Sequence, residues 1–193
     1  MTGYSASAPS RAGQGSGGRT DWLTAAACVG AAVNAGVFLA FSFFVMPAVQ
    51  DLPDAQGITA MQALNRIAVA PFTLVGLGTA VLCLVVMVRG FRTWTAAGGR
   101  WMVVGAVVYL LAAIMLTFAA NVPMSYTIDT LDPASADAQA RWVDLSTQWV
   151  WSNHLRALGT LVAAAALATA LFRSGSMPGA TASGTGDARG RAR

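Results

Sequence analysis

The side chains with chemistry to offer gather toward the end of the chain. His154 is the sole histidine among 193 residues, so it is the residue whose ordinary pKa lets it exchange a proton near neutrality. Trp142, Trp149, Asn153 and Arg156 step by seven, four and three positions, a spacing that puts all four on one face of a helix. His154 and Trp151 sit beside that stripe. Asn121, in Asn121-Val122-Pro123, and the group Gln62, Asn65 and Arg66 are expected at the same level, so polar groups from three helices converge there. Polar side chains at such a depth are costly in lipid and are usually turned inward. Aromatic walls with a few convergent polar groups suit a small lipophilic ligand. The same residues also admit a structural reading, because Trp gathers at bilayer interfaces, Arg snorkels, and Asn or Gln can simply join helices.

Other chemistries find less in the sequence. Zinc or copper sites generally need three or four His, Cys or carboxylate ligands. One His, with Cys28 and Cys83 toward the opposite membrane face, does not assemble such a set, so no metal is expected. The two cysteines read as packing residues. No Gly-rich phosphate loop and no nucleophile motif is present, and no cofactor is read from the chain.

The elements that must position these residues follow from composition. The chain is 55% hydrophobic and only 10% charged, against about 25% charged residues in an ordinary soluble domain. All twelve cations are Arg and all eight anions Asp, so the Lys and Glu of a water-facing helix are missing. Four apolar stretches, Trp22 to Val49, Ile67 to Val88, Trp101 to Ala120 and Leu155 to Phe172, approach the roughly 20 residues that cross a hydrocarbon core. The expected fold is all-α, a four-transmembrane-helix bundle over residues 21–173, with residues 1–20 and 174–193 as Gly- and Ser-rich disordered tails. The lipid bilayer is thus the first partner. The first span is read as an uncleaved anchor, being too long for a signal-peptide core.

Charge sets the orientation. Arg89, Arg92 and Arg100 fill the second connection, and both tails carry Arg, whereas Asp51, Asp54, Asp129, Asp132, Asp137 and Asp144 crowd the first and third connections. Arg-rich short loops stay inside, so both termini are expected to be cytoplasmic in a bacterial plasma membrane. Scattered Arg in Gly- and Ser-rich tails does not indicate nucleic-acid binding. On the outer side helices two and four should project beyond the membrane. Asp132-Pro133 supplies a cap and first-turn proline for helix four, and Leu52-Pro53-Asp54 resembles the start of helix two. Asn121-Val122-Pro123 should close helix three, and Pro71 should kink helix two. Asn34, in mid-helix, is expected to bond a neighbouring helix.

Four blocks together carry a family pattern: Ala35-Gly36-Val37-Phe38-Leu39-Ala40-Phe41-Ser42 with Val45-Met46-Pro47-Ala48, then Ala60-Met61-Gln62-Ala63-Leu64-Asn65, then Asn121-Val122-Pro123, then Trp149 with Asn153-His154-Leu155-Arg156. In order and content they resemble the anthrone oxygenase-like family over roughly residues 25 to 170. The resemblance implies a small four-helix integral membrane protein, and an activity that oxidises an anthrone to an anthraquinone without an obvious metal or flavin. An anthrone is a weak carbon acid whose anion reduces dioxygen, so the protein would bind it, remove a proton and exclude water. On that reading His154 is the general base and Arg156 stabilises the phenolate-like anion. Asn121, Asn153, Gln62 and Asn65 would orient the ligand, while Trp149, Trp151 and Phe41 would wall it in. Ser125 stands where the family usually has a second Asn, and Leu145 where a Tyr is common. The alternative is a non-catalytic membrane component that binds or stabilises a partner protein, with a homo-oligomer compatible with either reading.

Overall fold

The computed structural model describes residues 17–175, which form four long helices joined by short connections. The first, α1, is α-helical over Gly17–Ala40, turns once as a π-helix over Phe41–Val45, and ends as Met46–Gln50. α2 is continuous from Asp54–Arg92. α3 begins as Gly99–Tyr109, passes through π-helical turns at Leu110–Met115 and Thr117–Asn121, and finishes as Val122–Asp129. α4 occupies Ala136–Arg173. No strand occurs among the described residues, and all four helices are long and apolar enough to cross a membrane. At mid-length their outer surfaces carry exposed Val29, Leu74, Val81, Leu111, Leu158 and Leu161, a surface suited to lipid rather than water.

Consecutive helices pack on one another, and α4 closes against α1 as well as α3. With lipid on the outside, close van der Waals fit replaces hydrophobic exclusion as the force between helices, which favours small residues at the contacts. Gly159 on α4 lies against Ala112 of α3. A Cβ at Gly105 would stand 2.7 Å from Leu167 Cγ, so the α3–α4 contact is set by hydrogen at both places. Two cores result. One, around Ala31, Cys83, Val86, Ala106, Tyr109 and Leu167, lies between the long apolar segments. The other, around Met46, Ile58, Met61, Ile128, Trp142 and Trp149, binds the helix ends that bear the 51–53 and 130–135 connections, here called the acidic end. That second core is what lets the helices run beyond their apolar stretches.

Several local expectations need correction. α2 and α4 are extended at the acidic end as expected, but so is α3. Pro123 does not close it, because proline is tolerated in a first helical turn and here sits in the first turn of Val122–Asp129. The cap of α4 is Ser135, whose Oγ accepts from Ala138 N at 3.4 Å. Asp132 instead accepts from Ala134 N at 3.0 Å within a turn, the local bond that Asx side chains offer in competition with capping. Gly17 to Thr20, read as tail, belong to α1, and Ser174 and Gly175 form a turn at the end of α4; the rest of both tails lies outside the described residues. Asn34 Nδ2 donates to Gly30 O at 2.9 Å within its own helix rather than to a neighbour. Cys28 and Cys83 are unpaired, and Cys28 Sγ donates to Ala164 O at 3.4 Å.

Candidate functional site

A cavity of about 500 Å³ opens among the four helices, reaching from Asn34 and Gly76 toward the acidic end, within the roughly 300–1,000 Å³ typical of small-molecule sites. The π-helical turns help to shape it. They leave backbone groups that an α-helix would keep occupied and are frequent at functional sites. Phe41 comes from the first such turn, Ala113 and Ile114 from the second, and Thr117, Phe118 and Asn121 from the third. Just before the first turn, Phe38 O accepts Asn153 Nδ2 at 2.8 Å, and the same amide reaches Ser42 Oγ at 2.9 Å. These bonds fix α4 to α1 at the cavity wall.

The walls are aromatic. Phe72 stacks parallel to Phe38 with centroids 6.4 Å apart and meets Phe41 edge-on at 5.7 Å. Phe41 lies 6.0 Å from the Trp149 ring. On the α2–α3 side the lining is open. Thr73, Leu77 and Phe118 line the cavity yet are exposed, Phe118 to 60%. The opening therefore faces sideways, at the level of the apolar surface. Toward the acidic end the rim is polar: Asn65 Nδ2 donates to Asp129 Oδ1 at 2.9 Å, and Arg66, Ser125 and Tyr126 stand beside them.

Arg156 dominates the interior. It is 8% exposed, its guanidinium carbon sits 3.9 Å from the Phe38 ring centroid, and Nη1 donates to Asn153 Oδ1 at 3.3 Å. Packing on a ring face suits a desolvated guanidinium. Among the described residues no carboxylate pairs with it, and its Nε has no partner. Two other lining residues hold back a donor in the same way. Asn121 Oδ1 accepts Ser152 Oγ at 2.8 Å while its Nδ2 is unpartnered, and the Trp149 Nε1 is unpartnered too. Buried polar atoms are nearly always hydrogen-bonded. Three residues of the lining thus each keep one shielded N–H donor without a protein acceptor.

The structure thus brings together Asn65, Asn121, Trp149, Asn153, Arg156 and Phe41 from the residues singled out in the sequence. It does not bring in four others. Trp142, at the head of the stripe, is buried in the second core. Gln62 is spent on the backbone, its Nε2 donating to Ile128 O at 3.0 Å and Leu131 O at 2.9 Å. His154 and Trp151 lie outside the cavity, where His154 stacks on Phe43 at 5.5 Å and meets Trp151 edge-on at 5.7 Å. The reason is helical phase: at ~100° per residue, positions 151 and 154 fall roughly 170° and 130° from the 149–153–156 stripe. The residues that sequence reasoning missed are Phe38, Phe72, Asn34, Tyr126 and Asp129. Phe38 and Phe41 are three residues apart, the one signal in the sequence that they share a face.

A model of the anthrone oxygenase family matches residues 61–166, just over half of the chain. The matched stretch holds Asn65, Arg66, Asn121, Trp149, Asn153 and Arg156, while the α1 wall precedes it. No curated protein and no solved structure is matched.

Proposed function

Since this chain belongs to the anthrone oxygenase family, we propose that it binds a small lipophilic anthrone-like or phenolic compound in the cavity and oxidises it with dioxygen. The observation that carries this reading is the buried Arg156 guanidinium, without a carboxylate partner, in an aromatic-walled space. Removing a proton from the methylene of an anthrone puts the charge on the ketone oxygen as an aromatic oxyanion. A guanidinium held in place, shielded from water, favours that oxyanion more than the neutral ketone, and the difference lowers the barrier to ionisation. The electron-rich carbon then gives its electron pair to dioxygen in a new C–O bond, and the terminal peroxide oxygen takes up a proton in place of the one removed. The resulting hydroperoxide loses the second methylene hydrogen with water, so one oxygen atom ends in the new ketone and the other in water. Phe38, Phe41, Phe72 and Trp149 hold the rings. His154 stands away from this space, so the proton leaves toward the rim, where Asp129 is the carboxylate among the lining residues.

The sideways opening between α2 and α3 supports a ligand that arrives from the hydrocarbon layer, and a cavity open in this way favours ligand binding over a purely scaffolding role. Arg89, Arg92, Arg100 and Arg173 at one end, against the Asp residues at the other, support a plasma-membrane topology with both termini cytoplasmic and the polar rim outward. The test is dioxygen uptake by the purified full chain in detergent with an anthrone, after subtraction of spontaneous autoxidation. An excess that falls about 10²-fold in Arg156→Gln, the usual scale for one oxyanion donor, is the expected result. No excess from folded wild-type protein would overturn the oxygenase and leave the partner-binding component as the better reading.

A further inference from the structure

Arg156 poses a charge problem that the fold does not solve. The residue is almost fully buried, its Nη1 reaches a neutral amide, its Nε reaches nothing, and its face is covered by Phe38. A buried cation is costly unless a counter-charge or strong acceptors compensate it. The groups around it do not. From α1 the cavity receives Asn34, Phe38 and Phe41, none of which titrates. From α2 comes Arg66, a second cation, at the rim. From α3 come Tyr126 and Asp129 at the rim, while Tyr109, in the apolar core, donates its hydroxyl to Gly76 O at 3.0 Å. Asp129 is exposed and accepts from Asn65. Cys83, on α2, is buried in the apolar core. The lining therefore carries two cations and one anion, and the anion is exposed.

Resting on the reading of this cavity as the ligand site, we infer that it takes hydroxylated polycyclic aromatics as their oxyanions, with the ligand supplying the counter-charge that Arg156 lacks. The neutral acid and its anion then compete for one space on unequal terms. The anion gains the guanidinium. The neutral form keeps a hydroxyl hydrogen facing N–H donors. Binding therefore displaces the ligand's own proton, which passes to the buffer, and no protein base is needed inside. Ligands of this shape without an ionisable hydroxyl or enol bind more weakly, since they leave the charge unmatched.

The probe that separates this from catalysis is 2-hydroxyanthraquinone, which is already at the quinone level of oxidation and is not consumed, and whose absorption moves to longer wavelength when the hydroxyl ionises. It is titrated with pH in the presence of the full chain in uncharged detergent micelles, and in protein-free micelles. The midpoint of the bound probe should lie at least one pH unit lower, the shift that corresponds by linkage to about tenfold preference for the anion. Arg156→Lys should keep part of that displacement, Arg156→Gln should abolish it, and Arg141→Gln, an exposed cation outside the cavity lining, should leave it in place. An unmoved or raised midpoint in folded wild-type protein, or an equal displacement in Arg156→Gln, overturns the inference. So does a failure of the probe to bind, which would take the ligand-site reading down with it. A displaced midpoint in protein that does not oxidise an anthrone would uphold the anion site and remove the oxygenase.

Discussion

Replacing Asn153 with leucine, an apolar side chain of similar size, should cost about 3–4 kcal/mol of stability. The amide donates to Phe38 O at 2.8 Å and Ser42 Oγ at 2.9 Å, both on α1, and its oxygen receives Arg156 Nη1 at 3.3 Å. Polar links between membrane helices average ~0.6 kcal/mol and reach ~1.7, while a hydrogen bond to a charged group is worth roughly 1.5–3 kcal/mol. Two of the first kind and one of the second give the stated range. The leucine would also leave the Phe38 carbonyl, the Ser42 hydroxyl and a guanidinium N–H buried without that partner. The assay is reversible unfolding in mixed micelles as the mole fraction of sodium dodecyl sulfate rises, followed by helical circular dichroism. Ser42→Ala alone should cost less. The double variant Asn153→Leu with Ser42→Ala should fall short of the sum, because the two side chains share a bond. A loss under about 0.5 kcal/mol in Asn153→Leu, or strict additivity in the double variant, would refute the claim that this amide ties α4 to α1.

Other outcomes follow from the same geometry. His154→Gln should leave anthrone-dependent oxygen uptake within about twofold of wild type, because the ring lies against Phe43 and Trp151 and not in the cavity; a loss as large as that of Arg156→Gln would return it to the reaction. Thr73→Trp, placed in the sideways opening, should raise KM with little change in kcat, as steady-state rates over a range of anthrone concentrations would reveal. Gly159→Leu must displace Ala112 and should lower stability by about 1–3 kcal/mol in the same micellar unfolding assay. With Cys28 and Cys83 replaced by alanine, a cysteine introduced for Ala134 should react with a membrane-impermeant maleimide on intact cells. One introduced for Thr95 should react only after the membrane is opened.

The four helices were legible because lipid imposes a length: an apolar run of about 20 residues has few other uses. The projection of α2 and α4 was legible as well, since their sequences continue without a break past the apolar runs. The end of α3 was misread because Pro123 signals a boundary equally well whether a helix stops there or a new segment begins. In the site, Asn121, Trp149, Asn153 and Arg156 were recoverable from spacing and polarity. His154 attracted attention as the sole histidine, although its phase on the helix already pointed it away. Gln62 was chosen for its polarity and level; only the folded chain reveals that its amide is taken up by the carbonyls of Ile128 and Leu131. The contact of Phe38 with Arg156 joins residues on different helices, and no local rule of spacing connects them.

The π-helical turns have a further meaning for how the chain tolerates change. Each closes on the fifth residue instead of the fourth, so each accommodates one residue that a continuous α-helix would not contain. Deleting a single residue within Thr117–Asn121 would therefore cost little as helix, since the turn could relax to α. Ser125, Tyr126 and Asp129 would then keep their faces, whereas one residue removed between Val122 and Ser125, where the helix is regular, would turn all three by ~100° off the rim. The π-turn in this sense absorbs a change of chain length between the apolar depth of the cavity and its polar rim.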